Sequence, residues 1–207
     1  MITNKAGEYT KRRPAGVYDS TIVCSKCESI WQEWYNYAQL LLADKSLSGQ
    51  IRYHNNKKIC YIVDNYDYRK LKLFFISMVW RASVSSQPFF SKVSLGEFED
   101  VAKKHITNND PGGSDVFSVH LAKFDHPLAK IILDPHEEKY SNVNYLRFYL
   151  ADYIAYIKVD NRPAPRPYSQ IALAENKPLY IICRDFERSK ELKLIVNMAN
   201  QQAKRLR

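Results

Sequence analysis

The sequence is poor in glycine. Six glycines occur in 207 residues and the last is Gly113, so no glycine-rich phosphate cradle can form in the second half. The first half has neither G-x-G-x-x-G nor G-x-x-x-x-G-K-[ST], which excludes the common dinucleotide and P-loop motifs. No G-x-S-x-G elbow presents a serine nucleophile. Long apolar runs are also missing. The longest apolar neighbourhood, Leu71 to Trp80, is broken by Lys72 and closed by Arg81, about half of the ~20 residues a membrane span needs. The first residues, Met1-Ile2-Thr3-Asn4-Lys5, contain no apolar h-region, so neither a secretory signal nor a membrane partner is expected. Cysteine is scarce, at positions 24, 27, 60 and 183. That is too few for a disulfide scaffold on a chain able to bury a core of its own. These features point to the cytosol, with Cys60 and Cys183 as small hydrophobes in strands.

What is present is basic and apolar in ordinary globular proportion. Lys and Arg number 31 against 22 Asp and Glu, giving a net charge of +9, and 45% of residues are hydrophobic. That balance fits one domain over residues 1–207. The chain opens with a basic segment over 1–20. Ile30, Trp34, Tyr37 and Leu41, widened by Trp31, Ala38 and Leu42, predict a helix from Glu28. Ile51 to Tyr53 and Lys58 to Val63 read as a hairpin around His54-Asn55-Asn56. Leu71, Phe74, Phe75, Met78, Val79 and Ala82, joined by Leu73, Ile76 and Trp80, predict a helix over 68–85 that is apolar nearly all round. Such a helix belongs at the centre of a fold, and Lys72 is expected on its solvated side. A short helix is expected from Gly96 to His105, then a loop over 108–114.

The second half turns to strands. Phe117, Val119 and Leu121 alternate with Ser118 and His120. Asp125-His126-Pro127 marks a turn, and Leu128 to Leu133 reads as a returning strand. Residues 143–159 satisfy both helical and strand periodicity, and their aromatic content favours strands. Asn161 to Pro167, with three prolines, reads as an extended connector. Leu179 to Cys183 is a buried strand. A last helix is expected from Glu187, over 187–207, with Leu192, Ile195, Val196 and Ala199 as its stripe and a basic end. The fold class is therefore α+β, with a central apolar helix and a mostly antiparallel sheet.

Three groups of residues carry candidate chemistry. Cys24-x-x-Cys27 is half of a tetrahedral zinc site. No second C-x-x-C or H-x₃₋₅-H accompanies it, which leaves His54, Cys60, His105, His120, His126 and His136 as further ligands. The same pair at a helix start also fits a redox couple, or two thiols that only pack. Lys11, Arg12 and Arg13 at one end and Lys204, Arg205 and Arg207 at the other suit phosphate contact, or solvated tails. Tyr145, Arg147 and Tyr149 share one face if 144–150 is a strand. Alternating aromatics and arginine can stack bases, and tyrosines half-buried under a helix give the same pattern. Weaker groups are His54-Asn55-Asn56, which an Asn-rich turn explains, and Asp134-Pro135-His136-Glu137-Glu138, which is either a hard-metal cluster or a polar loop.

Arg12-Arg13-Pro14-Ala15-Gly16-Val17-Tyr18-Asp19, then Ile22-Val23-Cys24-x-x-Cys27-Glu28, Trp34 and Tyr37-Ala38, and later Phe74 to Ser83 with Val93-x-Leu95-Gly96, form a recurring pattern. Over residues 10–100 this resembles bacterial HNH-endonuclease-like proteins found with mobile elements. In that group an upstream segment carries another Cys pair and a Ser-His stretch, which have no counterpart here. Nor does any position match the catalytic His of a ββα-metal nuclease. The resemblance implies a nucleic-acid-linked effector or toxin-like component of a bacterial defence or mobile-element system, with nucleic acid or an antitoxin as partner; zinc, as cofactor, is the reading that the Cys24 and Cys27 spacing offers. The competing expectation is a non-enzymatic module that binds a partner protein.

Overall fold

A computed structural model describes residues 19, 22–43, 49–126, 129 and 133–205. Two helices, α1 (Ser25–Ala43) and α2 (Tyr68–Val84), bracket a hairpin of β1 (Gln50–His54) and β2 (Lys57–Val63). After α3 (Glu99–Thr107) come β3 (Val119–Phe124), β4 (His136–Tyr140), β5 (Val143–Leu150) and β6 (Tyr153–Lys158). A single turn, α4 (Tyr168–Ile171), leads to β7 (Leu179–Arg184) and the last helix, α5 (Lys190–Arg205). The strands form one sheet in the order β1-β2-β7-β3-β6-β5-β4. Every pairing is antiparallel except β3 with β7. The class is α+β, as the sequence pattern implies.

Residues 143–159 are strands, split by a turn at Ala151 and Asp152. Their dual periodicity resolves because both faces are buried. Leu146, Phe148, Tyr153, Ala155 and Ile157 enter one core; Tyr145, Tyr149, Ile154 and Tyr156 enter another. A strand buried on both sides needs no polar face, so its pattern blurs into that of a helix. The same holds for β3. Ser118 and His120 are as buried as Val119 and Leu121. The returning strand over 128–133 falls mostly outside the described residues; Ala129 and Leu133 are buried in the second core.

The first core lies between the sheet and the three long N-terminal helices. Asp67 caps α2, its side chain accepting from the Lys70 N–H at 2.9 Å. Leu71, Leu73, Phe75, Ile76 and Val79 of α2 are fully buried. From α1, Trp31, Trp34 and Ala38 face α2, and Trp31 meets Trp80 edge-on with centroids 5.9 Å apart. Ile30 instead points outward, so the α1 stripe starts one residue later than its spacing suggests. α1 itself begins at Ser25, not Glu28.

The position of Lys72 corrects the reading of α2. It is not on a solvated side but wholly buried, with its ammonium lacking any hydrogen-bond partner. Burial, reinforced by the nearby Lys158 charge and opposed by Asp115, lowers its pKa to about 7. Arg69, Lys70 and Arg81 of α2 keep partial contact with solvent, while Lys72 is on the enclosed side of the helix. His120 is in a similar position: desolvation lowers its pKa to about 3, and its ring stacks between Tyr156 at 4.6 Å and Tyr168 at 4.8 Å.

α5 covers the opposite face of the sheet with Leu192, Ile195 and Met198. Val196 and Ala199, assigned to its stripe from spacing, are exposed, Val196 by 46%. Glu191, in the first turn of α5, faces the sheet instead and pairs with buried Arg147 and half-buried Arg184.

Replacing Lys72 with methionine is expected to stabilise the protein at pH 7 by on the order of 2–4 kcal/mol, since an unpaired buried charge is removed. Between pH 7 and 10.5 the unfolded chain keeps the Lys72 proton and the folded chain sheds it. Wild-type stability therefore gains on the variant as pH rises through that window. Urea unfolding of both proteins at pH 7 and 10 checks this, and a pH-independent difference contradicts it.

Candidate nucleic-acid interface

The sequence places seven residues without an acid at the hairpin: Arg52-Tyr53-His54-Asn55-Asn56-Lys57-Lys58. Asn55 and Asn56 form the turn with positive φ of 48° and 60°. Two consecutive left-handed residues are what a two-residue hairpin turn matched to strand twist requires, and asparagine tolerates that conformation well. β2 pairs with β7 only from Cys60 to Val63. Lys57 and Lys58 pair with β1 alone, so the end of the hairpin stands beyond the sheet as a two-stranded arm. The pairing steps from Arg52↔Cys60 to Tyr53↔Lys58, which leaves Ile59 unpaired as a bulge at the base of the arm. A bulge adds local twist and turns the ribbon relative to its sheet.

All residues of β1 and both turn asparagines are exposed. Lys58 donates to Asp125 at 2.7 Å; that hydrogen bond raises its pKa and ties the arm to the end of β3. Arg52 and Lys57 form no ion pair among the described residues. The arm thus presents two free cations, His54 and two exposed amides, with its nearest carboxylate already engaged.

The residues singled out from sequence are distributed differently. Tyr145, Arg147 and Tyr149 do share one face of β5, but that face is interior. Tyr145 and Tyr149 belong to the second core. Arg147 donates to Glu138 at 3.0 Å and to Glu191 of α5. The same Glu191 oxygen accepts from Arg184 at 3.1 Å and from the Tyr149 hydroxyl at 3.3 Å. Burial opposes the Glu191 charge, yet Arg147 and Arg184 outweigh it and hold the carboxyl below its ordinary pKa. The set is a tie between β4, β5, β7 and α5, and its rings offer no face to a base. Packing, the competing explanation of that pattern, is what the structure contains.

Cys24 is exposed and immediately precedes α1; the Cys27 side chain lies outside the described residues. Among the described residues no three His, Cys, Asp or Glu side chains are grouped so as to hold a metal ion. Asp134 is buried, Glu137 is exposed, and His136, Glu137 and Glu138 belong to edge strand β4 rather than to a loop. These residues line a cavity of about 260 Å³ with Arg147 and Glu191. Cys60 is buried and Cys183 half-buried. Lys11, Arg12, Arg13 and Arg207 fall outside the described residues, as does the Arg205 side chain. Lys204 is exposed near the end of α5. No helix among the described residues is long and apolar enough to cross a membrane.

The sequence pattern marks the hairpin but not its basic, exposed surface. The signal for that surface is the lack of acid between Gln50 and Val63. That the arm leaves the sheet depends on where β7 stops pairing, which is encoded some 120 residues away. No family model, curated protein or solved structure matches the chain.

Tyr149→Ala and Glu191→Ala are each expected to cost about 3 kcal/mol or more, the first by truncating a core ring and the second by removing the carboxylate that buried Arg147 shares with Glu138 and that half-buried Arg184 depends on. Neither should alter oligonucleotide affinity under conditions where both variants remain folded. Thermal melts paired with anisotropy titrations test this. Undiminished melting with lost affinity would return these residues to the interface.

Proposed function

We propose that this protein binds nucleic acid through the β1–β2 arm. Its biological setting is that of the nucleic-acid-linked effectors or toxin-like components that residues 10–100 resemble. The observation that carries the reading is the arm itself: an exposed, acid-free ribbon bearing Arg52, His54 and Lys57 on a chain of net charge +9. A phosphate backbone is the common polymer that rewards such a surface, because each neutralised phosphate releases condensed counterions. The basic ends, Lys11-Arg12-Arg13 and Lys204-Arg205-x-Arg207, would add non-specific attraction of the same kind.

A second reading, a protein-interaction module, is supported by Ile51, Tyr53 and Ile59, which are exposed on the same hairpin. An edge strand with exposed apolar side chains accepts an added strand. The two readings part on salt: phosphate contact weakens steeply with ionic strength, and strand addition does not.

Arg52→Ala/Lys57→Ala, measured against duplex oligonucleotides at several salt concentrations, should lower the log–log slope by roughly 1.8, two contacts at about 0.9 each. The double variant should melt like wild type, because neither side chain is buried or paired. Absence of wild-type binding at low salt, or a wild-type slope in the variant, overturns the arm as a phosphate-binding element.

A further inference from the structure

We propose that the arm is a ribbon for the major groove of duplex DNA, with the Asn55 and Asn56 amides at its tip against base edges and Arg52 and Lys57 flanking them on phosphates. This rests on the nucleic-acid reading above and narrows it to one polymer and one groove.

Dimensions come first. Beyond Cys60, the last residue of the β2–β7 pairing at this end, Lys57, Lys58 and Ile59 run without a second neighbour. β7 itself runs on past Ile182 to Arg184, paired with β3, so Ile59 and Lys58 lie level with the end of the sheet while Lys57 and the Asn55-Asn56 turn stand past it, a reach of roughly 7 Å at about 3.4 Å per residue. The B-DNA major groove is about 12 Å wide and about 8.5 Å deep, and it admits a two-stranded ribbon. The major groove of duplex RNA is deep and narrow and does not. Single strands are usually gripped by stacking bases on a series of aromatic faces, and the arm exposes only Tyr53 and the His54 imidazole, adjacent residues that point to opposite faces of the strand.

The tip supplies the second argument. Both turn positions have positive φ, a conformation glycine adopts without strain. Asparagine at both places costs conformational energy and retains two side-chain amides. Each amide offers a donor beside an acceptor, the pair that matches N6 and N7 of adenine. Both are exposed, and neither forms a hydrogen bond to the rest of the described residues, so both are available to a ligand. The Lys58–Asp125 bond, 2.7 Å long, fixes the base of the arm and reduces the ordering that insertion would require.

The test uses the full chain and four probes: a 20-bp duplex DNA with an A·T-rich centre, its G·C-centred counterpart, the matching duplex RNA, and single-stranded DNA. Wild type should bind the A·T-centred duplex DNA tightest, with duplex RNA weaker by about tenfold or more. Asn55→Gly/Asn56→Gly keeps the turn, which glycine favours, and deletes both amides. It should keep the wild-type salt slope and melting temperature, and lose roughly fivefold or more of the A·T preference. Equal binding of duplex DNA and duplex RNA overturns groove entry. Unchanged base preference in the glycine variant does so too, even where Arg52→Ala/Lys57→Ala lowers the slope; the arm then touches backbone only, and the nucleic-acid reading survives. No binding of any probe at low salt removes both.

Discussion

The strands β3, β5 and β6 are buried on both faces, and most of the molecule follows from that demand. One face is apolar and takes α1, α2 and α3. The other carries His120, Tyr145, Arg147, Tyr149, Tyr156 and Lys158, side chains that lose hydration when covered and must be compensated inside. Glu191 supplies much of that compensation, with one carboxylate oxygen accepting from two arginines and a tyrosine. It also ties α5 to β5 and β7. The rings around His120 provide further compensation by stacking. Lys72, like His120 Nδ1 and the Tyr145 hydroxyl, is left without a hydrogen-bond partner among the described residues, and it is the one cation of α2 that is wholly enclosed.

Burying the polar face has a consequence for function. The alternating tyrosine and arginine of β5 hold the body together and are not free for a ligand. Exposed chemistry is left to the margins of the sheet. β4 closes one margin and its Glu138 is drawn into the arginine tie. β1 forms the other, and there the hairpin extends past its neighbour with basic and amide side chains outward. A hairpin whose base is tied by the Lys58–Asp125 bond loses less freedom on binding than an untethered segment.

The sequence was informative where a local pattern meets a local cause. α2 stands out because its apolar residues recur at helical spacing, and the hairpin because an Asn pair lies between two strand-like runs. The faces were harder to assign. Lys72 breaks an apolar run and so reads as solvated, yet its environment is set by β3 and β6 far along the chain. Tyr145-x-Arg147-x-Tyr149 has the same alternation whether it faces water or α5, and the partner that decides, Glu191, lies more than forty residues away. Val196 falls on the apolar stripe by spacing but is exposed. The hairpin was visible in the sequence but its free end was not, because that depends on where the β2–β7 pairing stops, at Cys60 and Ile182.

Hydrogen exchange with and without duplex DNA tests the central claim most directly, since it reports each amide in the intact protein. The arm over residues 52–59 is a two-stranded ribbon with exposed side chains, so its amides should exchange faster in the free protein than those of the sheet interior. Added duplex should slow exchange there, while β3, β5 and β6 remain protected and unchanged. Slowing that spares residues 52–59 and appears elsewhere, or no slowing at a DNA concentration that saturates binding, would contradict the assignment of the arm as the contact element.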